Sequence, residues 1–177
     1  LTLPRPILAI DPGPKTCGAA LYDPGAQRVL WADKAAPVAS LCDHLWTPHP
    51  ETPWWGSSPL VLIERVRSYG KSGNSLFETS EAVGRLYQSA LSAGLEVHLV
   101  PRKWVVRALG ADRKDAPGGK TPDSKVIAAM LALVGPKGTK AAPGPTYGVT
   151  SHAWQALGLA VAWDESEALR RRVRGEG

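Results

Sequence analysis

Short unbroken apolar runs alternate along this chain with longer stretches whose apolar residues recur at helical spacing. Ile7-Leu8-Ala9-Ile10 is four apolar residues in a row, followed by Asp11-Pro12-Gly13. Such a run suits a strand buried on both faces, and Pro-Gly turns the chain away at its end. The arrangement returns at Leu60-Val61-Leu62-Ile63, which ends in Glu64. Between the two, residues 17–22 and 27–32 read as further strands. They are joined at Asp23-Pro24-Gly25, with Pro and Gly where a type II turn wants them. Three strands with short connections imply an antiparallel meander. Residues 96–100 predict a fifth strand, stopped by Pro101.

Helices fill the intervals. Residues 38–46 suit a short one. Leu76, Thr79, Val83, Leu86, Tyr87 and Ala90 share one face of a helix over 76–93, which Gly94 ends. Residues 102–109 form a short helix carrying Arg102, Lys103 and Arg107. Thr121-Pro122-Asp123 opens another, with Pro in its first turn and Lys125, Val126, Ala129, Met130 and Leu133 along it. The last helix starts near Thr150 or Ser151, either of which suits a cap. His152, Gln155, Ala156, Leu159, Ala160 and Trp163 then recur three or four apart and share one side. Residues 44–58, 68–75, 110–119 and 135–148 read as loops, and Trp54-Trp55 in the first of these as a cap on the core. There is no internal repeat. The whole is an α/β chain in which residues 1–177 make one domain.

Composition narrows the class. With 177 residues, 44% of them apolar, the chain has enough material for a sizeable core. It shows no run of ~18 apolar residues that would span a membrane. It lacks the pattern of an export signal. Cys17 and Cys42 are too few for a disulfide scaffold, and Cys17 suits a small buried hydrophobe. A reducing cytoplasm is the expected location. The net charge of +5 and pI near 9.4 favour a polyanionic partner, although part of that excess is the terminal run 170–174.

The chemistry starts from the two strand-end acids. If the two apolar strands lie side by side, Asp11 and Glu64 meet at one edge of the sheet. Two close carboxylates repel unless a cation lies between them, and a divalent metal answers that need. His152 and Gln155, one turn apart on the last helix, face the same rim if that helix packs on the sheet. Plainer roles stand beside these: Asp11 bonding its own turn, Glu64 pairing with Arg65 or Arg67, His152 as a cap, Gln155 as a structural amide.

Ile-Asp-Pro-Gly at 10–13, Ile-Glu-Arg-Val at 63–66 and Ser-His-Ala-Trp-Gln-Ala-Leu-Gly-Leu-Ala at 151–160 together resemble the RuvC family of Holliday-junction resolvases, within the ribonuclease H-like superfamily. The order of elements agrees over nearly the whole chain. The resemblance implies a ribonuclease H-like fold: a five-stranded mixed sheet, three antiparallel then two parallel strands, flanked by helices. It also implies a homodimer and Mg²⁺-dependent cutting of four-way DNA junctions, with Mn²⁺ as a substitute and two ions per site. By position, Asp11 resembles the acid that bridges the ions, Glu64 the second acid, and His152 a histidine that binds metal or assists water. Those relatives carry an aspartate three residues after the histidine; here the residue is Gln155. One negative charge is therefore missing from the cage, and metal affinity should fall. Asp164 and Glu165 lie ~15 Å further along and do not replace it. A weaker site, a DNA-binding protein without cleavage and an introduced change are all consistent with Gln155.

A DNA face would use Lys71, Arg102, Lys103, Arg107, Arg113, Lys114, Lys120 and Lys125, with the last helix's N-terminus favouring a phosphate. Tyr69 stands where the resemblance implies an aromatic that unstacks the junction, with Phe77 as the other candidate. Arg85 and Tyr87 lie on the helix implied to form the dimer face. An actin-like or sugar-kinase ATPase shares the Asp-x-Gly turn but needs a second such domain, of which there is no copy. An RNA-processing relative of the same fold is a further alternative.

Overall fold

In the computed structural model, which describes residues 5–47, 50–54, 56–67 and 73–174, Ile7, Leu8, Ala9 and Ile10 are all buried, as an unbroken apolar run requires. They belong to β1 (Ile7–Asp11), which is followed by β2 (Thr16–Asp23) and β3 (Arg28–Pro37). Then come α1 (Val38–Trp46), β4 (Leu60–Arg65), α2 (Asn74–Ser92) and β5 (Val97–Pro101). α3 (Arg102–Ala108), α4 (Pro122–Leu133) and α5 (Ala153–Arg174) complete the order. The sheet runs β3-β2-β1-β4-β5. β1, β2 and β3 pair antiparallel, while β1 with β4 and β4 with β5 are parallel. The two runs without polar residues are thus the two innermost strands of the parallel half.

Side-chain parity decides what each face carries. Ile7, Ala9, Ala20, Tyr22, Leu60 and Leu62 pack with residues of α3, α4 and α5. Leu8, Ile10, Ala19, Leu21, Val61 and Ile63 pack with α1 and α2 on the opposite face. Alternation along a strand puts positions 7, 9 and 11 on one side, and likewise 60, 62 and 64. Asp11 and Glu64 therefore both belong to the face that α5 covers. α5 lies between the sheet and the pair α3 and α4, and its residues 153–162 are buried on every side apart from half-buried Gln155. The sequence pattern predicts a one-sided helix. The small residues Ala153, Ala156, Ala160 and Ala162 instead let neighbours close in all round.

The start of α5 reaches the sheet through Gly18. A Cβ on Gly18 would stand 2.4 Å from both the carbonyl carbon and oxygen of His152. Gly18 is also the register partner of Asp11. No residue but glycine permits main chain to sit on main chain here. Gly94 closes α2 with φ +71°, as the pattern predicts. Cys17 is buried, and Trp54 caps the core edge-on to Trp31 at 6.0 Å; Trp55 lies outside the described residues.

Three expectations change. β3 continues to Pro37, because Asp33 and Lys34 are tolerated on an edge strand. The β2–β3 turn is not type II: its left-handed residue is Gln27 (φ +48°) rather than Gly25. Asp23 Oδ1 organises it instead, accepting from Gly25 N at 2.9 Å and Ala26 N at 3.1 Å. Ser151 has φ +47°, not the extended backbone of a capping residue, and α5 begins at Ala153.

Replacing Gly18 with Ala forces α5 and β2 apart, so Gly18→Ala should cost ~1–3 kcal/mol. Gly84, in α2, has open space where a Cβ would go, so Gly84→Ala should instead stabilise by up to ~1 kcal/mol. Urea unfolding of the two variants measures both.

Candidate active site

The register Ile10↔Ile63 makes Asp11 and Glu64 the next facing positions on β1 and β4. They stand at the carboxyl ends of parallel strands, where open α/β sheets hold their ligands. β5 runs parallel beside β4, with Pro101 opposite Arg65, so Arg102 enters the same rim as α3 begins. From above, the start of α5 contributes His152 and Gln155. These side chains line one cavity of about 420 Å³.

Within it, His152 Nδ1 lies 3.4 Å from Asp11 Oδ2. Arg102 Nη1 lies 3.5 Å from Glu64 Oε2. Its Nη2 donates to Asp123 Oδ1 at 2.5 Å and also to Gln155 Oε1. The Asp11 and Glu64 side chains are only 19% and 18% exposed. Burial raises the pKa of Asp11, and the charges of His152 and Arg102 offset this only in part. Glu64 is pushed up to about 7, first by burial and then by the charge of Asp11, against the pull of Arg102. The nearby Asp123 acts in the same upward direction on both. Two carboxylates short of positive charge, beside a neutral carbonyl oxygen, are the donor chemistry a hard divalent ion takes. Among the described residues, no three or more His, Cys, Asp or Glu side chains close on a single point. The Arg102 guanidinium stands among them instead.

No family model matches the chain. Over 187 residues it is 26% identical to the crossover junction endodeoxyribonuclease RuvC of Corynebacterium glutamicum, covering 97% of the chain and 80% of that protein. Over 177 residues it is 29% identical to the RuvC of Corynebacterium efficiens, covering 94% of the chain and 73% of the relative. The chain is similar to RuvC endonucleases over nearly its whole length. Two solved structures carry the same fold at 18% identity: Thermus thermophilus RuvC (TM-score 0.62) and T. thermophilus RuvC in complex with a Holliday junction substrate (TM-score 0.63). Each covers 93% of the chain and is 96% covered by it. The five-stranded mixed sheet thus has the ribonuclease H-like fold of these two structures.

The structure brings Asp11, Glu64, His152 and Gln155 together. It moves Arg102 from the anticipated basic surface into the pocket. Lys103, Arg107, Arg113, Lys114 and Lys120 are exposed, and Arg107 lies 3.9 Å from Asp112. Lys125 is half-buried and its Nζ donates to the Arg113 carbonyl at 2.6 Å, which ties it to the chain rather than presenting it freely. Phe77 is 68% exposed and so is not a core residue. Tyr69 and Lys71 lie outside the described residues. The anion-binding start of α5 is altered. The N–H groups of Ala153, Trp154 and Gln155 already donate to the carbonyls of Thr150, Ser151 and His152, which leaves the helix dipole but not free donors.

Sequence reasoning missed Lys34 and Asp123 on the cavity wall and Gly18 beneath it. Gly18 had a signal, since a glycine inside an apolar strand marks close approach. Asp123 had none, because an acid in a first helical turn is explained by the helix dipole alone.

The raised pKa of Glu64 has a definite sign. The folded state holds the Glu64 proton more tightly than the unfolded chain, so ion-free protein is most stable below pH 4.5 with respect to this group. It loses stability as pH rises from 4.5 to about 7, by ~3 kcal/mol at most. Asp11 acts in the same direction. Urea unfolding in chelator between pH 4 and 8 should show this decline, and Glu64→Gln should flatten it.

Proposed function

We propose that the chain is a structure-specific endodeoxyribonuclease that resolves four-way DNA junctions by metal-dependent phosphodiester hydrolysis. The observation that carries this reading is the meeting of Asp11 and Glu64, 53 positions apart in sequence, under His152 and Gln155 in one cavity. Junction endonucleases are the named activity of the relatives, and one structural neighbour holds a Holliday junction.

Asp11, Glu64, His152 and Gln155 would hold two Mg²⁺ ions, with Mn²⁺ as a substitute. The chemistry such ions supply when bound is activation of water and stabilisation of the departing 3′ oxygen. Asp11 and Glu64 provide negative charge on rigid strand ends, so little reorganisation is needed on loading. His152 turns Nδ1 towards Asp11. Its Nε2 then points away from that carboxylate and would either hold an ion or take a proton from water. Lys34 lines the cavity and Lys103, Arg107 and Lys120 are exposed; these would pair with DNA phosphates, with Tyr69, Lys71 and Phe77 as further contacts. The chain acts as one nuclease domain and dimerises through α2, which carries Arg85 and Tyr87. No described helix is long and apolar enough to cross a membrane. A nuclease acting on DNA junctions would work in the cytoplasm of a bacterial cell or phage-infected host.

Gln155 and the ion pairs of Arg102 favour a second reading: a junction-binding protein of the same fold with weak or no cleavage. Labelled four-way junctions with Mg²⁺ or Mn²⁺, read on a denaturing gel, separate the two. Paired nicks that vanish in Asp11→Asn and Glu64→Gln support the nuclease; binding without nicks selects the second reading. Gln155→Asp should raise cutting. Log affinity for the junction should fall with log salt by ~0.9 per phosphate neutralised, and a flat response would remove the basic DNA face.

A further inference from the structure

One nitrogen of Arg102 organises the outer side of the pocket. Nη2 donates to Asp123 Oδ1 at 2.5 Å and to Gln155 Oε1, so those two oxygens lie within ~5 Å of each other. They arrive from different helices, Asp123 from the first turn of α4 and Gln155 from the first turn of α5. The other nitrogen, Nη1, reaches Glu64 Oε2 at 3.5 Å. Oxygens from β4, α4 and α5 thus converge on a point that already carries positive charge. Gln155 brings no charge to it. The full negative charge on that side belongs to Asp123.

We propose that Asp123 is a ligand of the metal centre, supplying from α4 the carboxylate that α5 lacks at Gln155, and that Arg102 holds the cation's place until an ion binds. This rests on the metal-dependent reading given above. A guanidinium and a divalent ion compete for the same oxygens and cannot share them. Arg102 has a long flexible stem and can withdraw towards solvent or a DNA phosphate. The Asp123 side chain is 65% exposed, so it has room to turn towards an incoming ion. Ion affinity then depends on Asp11, Glu64 and Asp123 together and is opposed by Arg102. A purely local role for Asp123, stabilising the start of α4, predicts no effect on ion binding.

Mn²⁺ binding to the full chain without DNA, followed by the paramagnetic resonance of free Mn²⁺, tests this. Loss of an outer partner alone costs ~10–100-fold in metal affinity, so Asp123→Asn should weaken binding by at least ~10-fold. Asp115→Asn, an exposed acid outside the cavity, should leave it unchanged. Arg102→Gln should tighten binding, since it removes the cation that competes for these oxygens. Asp123→Asn combined with Gln155→Asp should restore affinity, since the carboxylate returns from the other helix; a helix-end role for Asp123 predicts no loss in Asp123→Asn to begin with. Wild-type affinity in Asp123→Asn, or a loss that Gln155→Asp does not reverse, overturns the proposal while leaving the site in place. If wild-type protein binds no Mn²⁺, or Asp11→Asn binds it unchanged, the metal-dependent reading falls and this proposal with it.

Discussion

Two carboxylates on neighbouring strand ends, in a rim that admits little water, repel each other and are each penalised by burial. The fold cannot move them apart, because the β1–β4 register that aligns Ile10 with Ile63 also sets Asp11 beside Glu64. It cannot expose them either, since strand parity turns both towards α5. What remains is to bring positive charge to them. Around this demand the pocket is arranged: His152 above Asp11, and Arg102 between Glu64, Asp123 and Gln155. The raised pKa of both acids shows that the protein's own cations answer the demand only in part.

This makes Arg102 more informative than a surface contact. An arginine that leaves solvent to sit among carboxylates loses hydration and side-chain freedom, and is retained when its partners would be worse without it. Its partners come from β4, α4 and α5, so the guanidinium also ties the crossover after β5 to the two helices that cover the sheet. The same side chain therefore joins fold and site, and displacing it loosens contacts among three elements at once.

Much of this was legible in the sequence, and the reasons differ by residue. The two apolar runs that end in acids revealed β1 and β4, because a strand buried on both faces admits no polar residue until it reaches the rim. His152 and Gln155 followed from spacing on a helix whose small residues require close packing. Arg102 was legible as a basic residue but not as an internal one, since one-dimensional order does not say where a helix after β5 will start. Asp123 and Lys34 were silent for a related reason: each sits where an ordinary surface charge is expected, and only the convergence of α4, β3 and α5 makes them neighbours. The β2–β3 turn misled because Asp23 supplies through its side chain the order that Pro24-Gly25 suggests for the backbone.

Gly18 carries a mechanical corollary. Where His152 crosses the sheet, its carbonyl rests against the backbone of β2 with no side chain in between. The height of the histidine above Asp11 is therefore set by the thickness of two polypeptide backbones, a dimension no rotamer can alter. Further along, α5 meets the sheet through side chains. The elevation of the imidazole is thus a property of two main chains in contact, and repacking of side chains elsewhere in the core does not reset it.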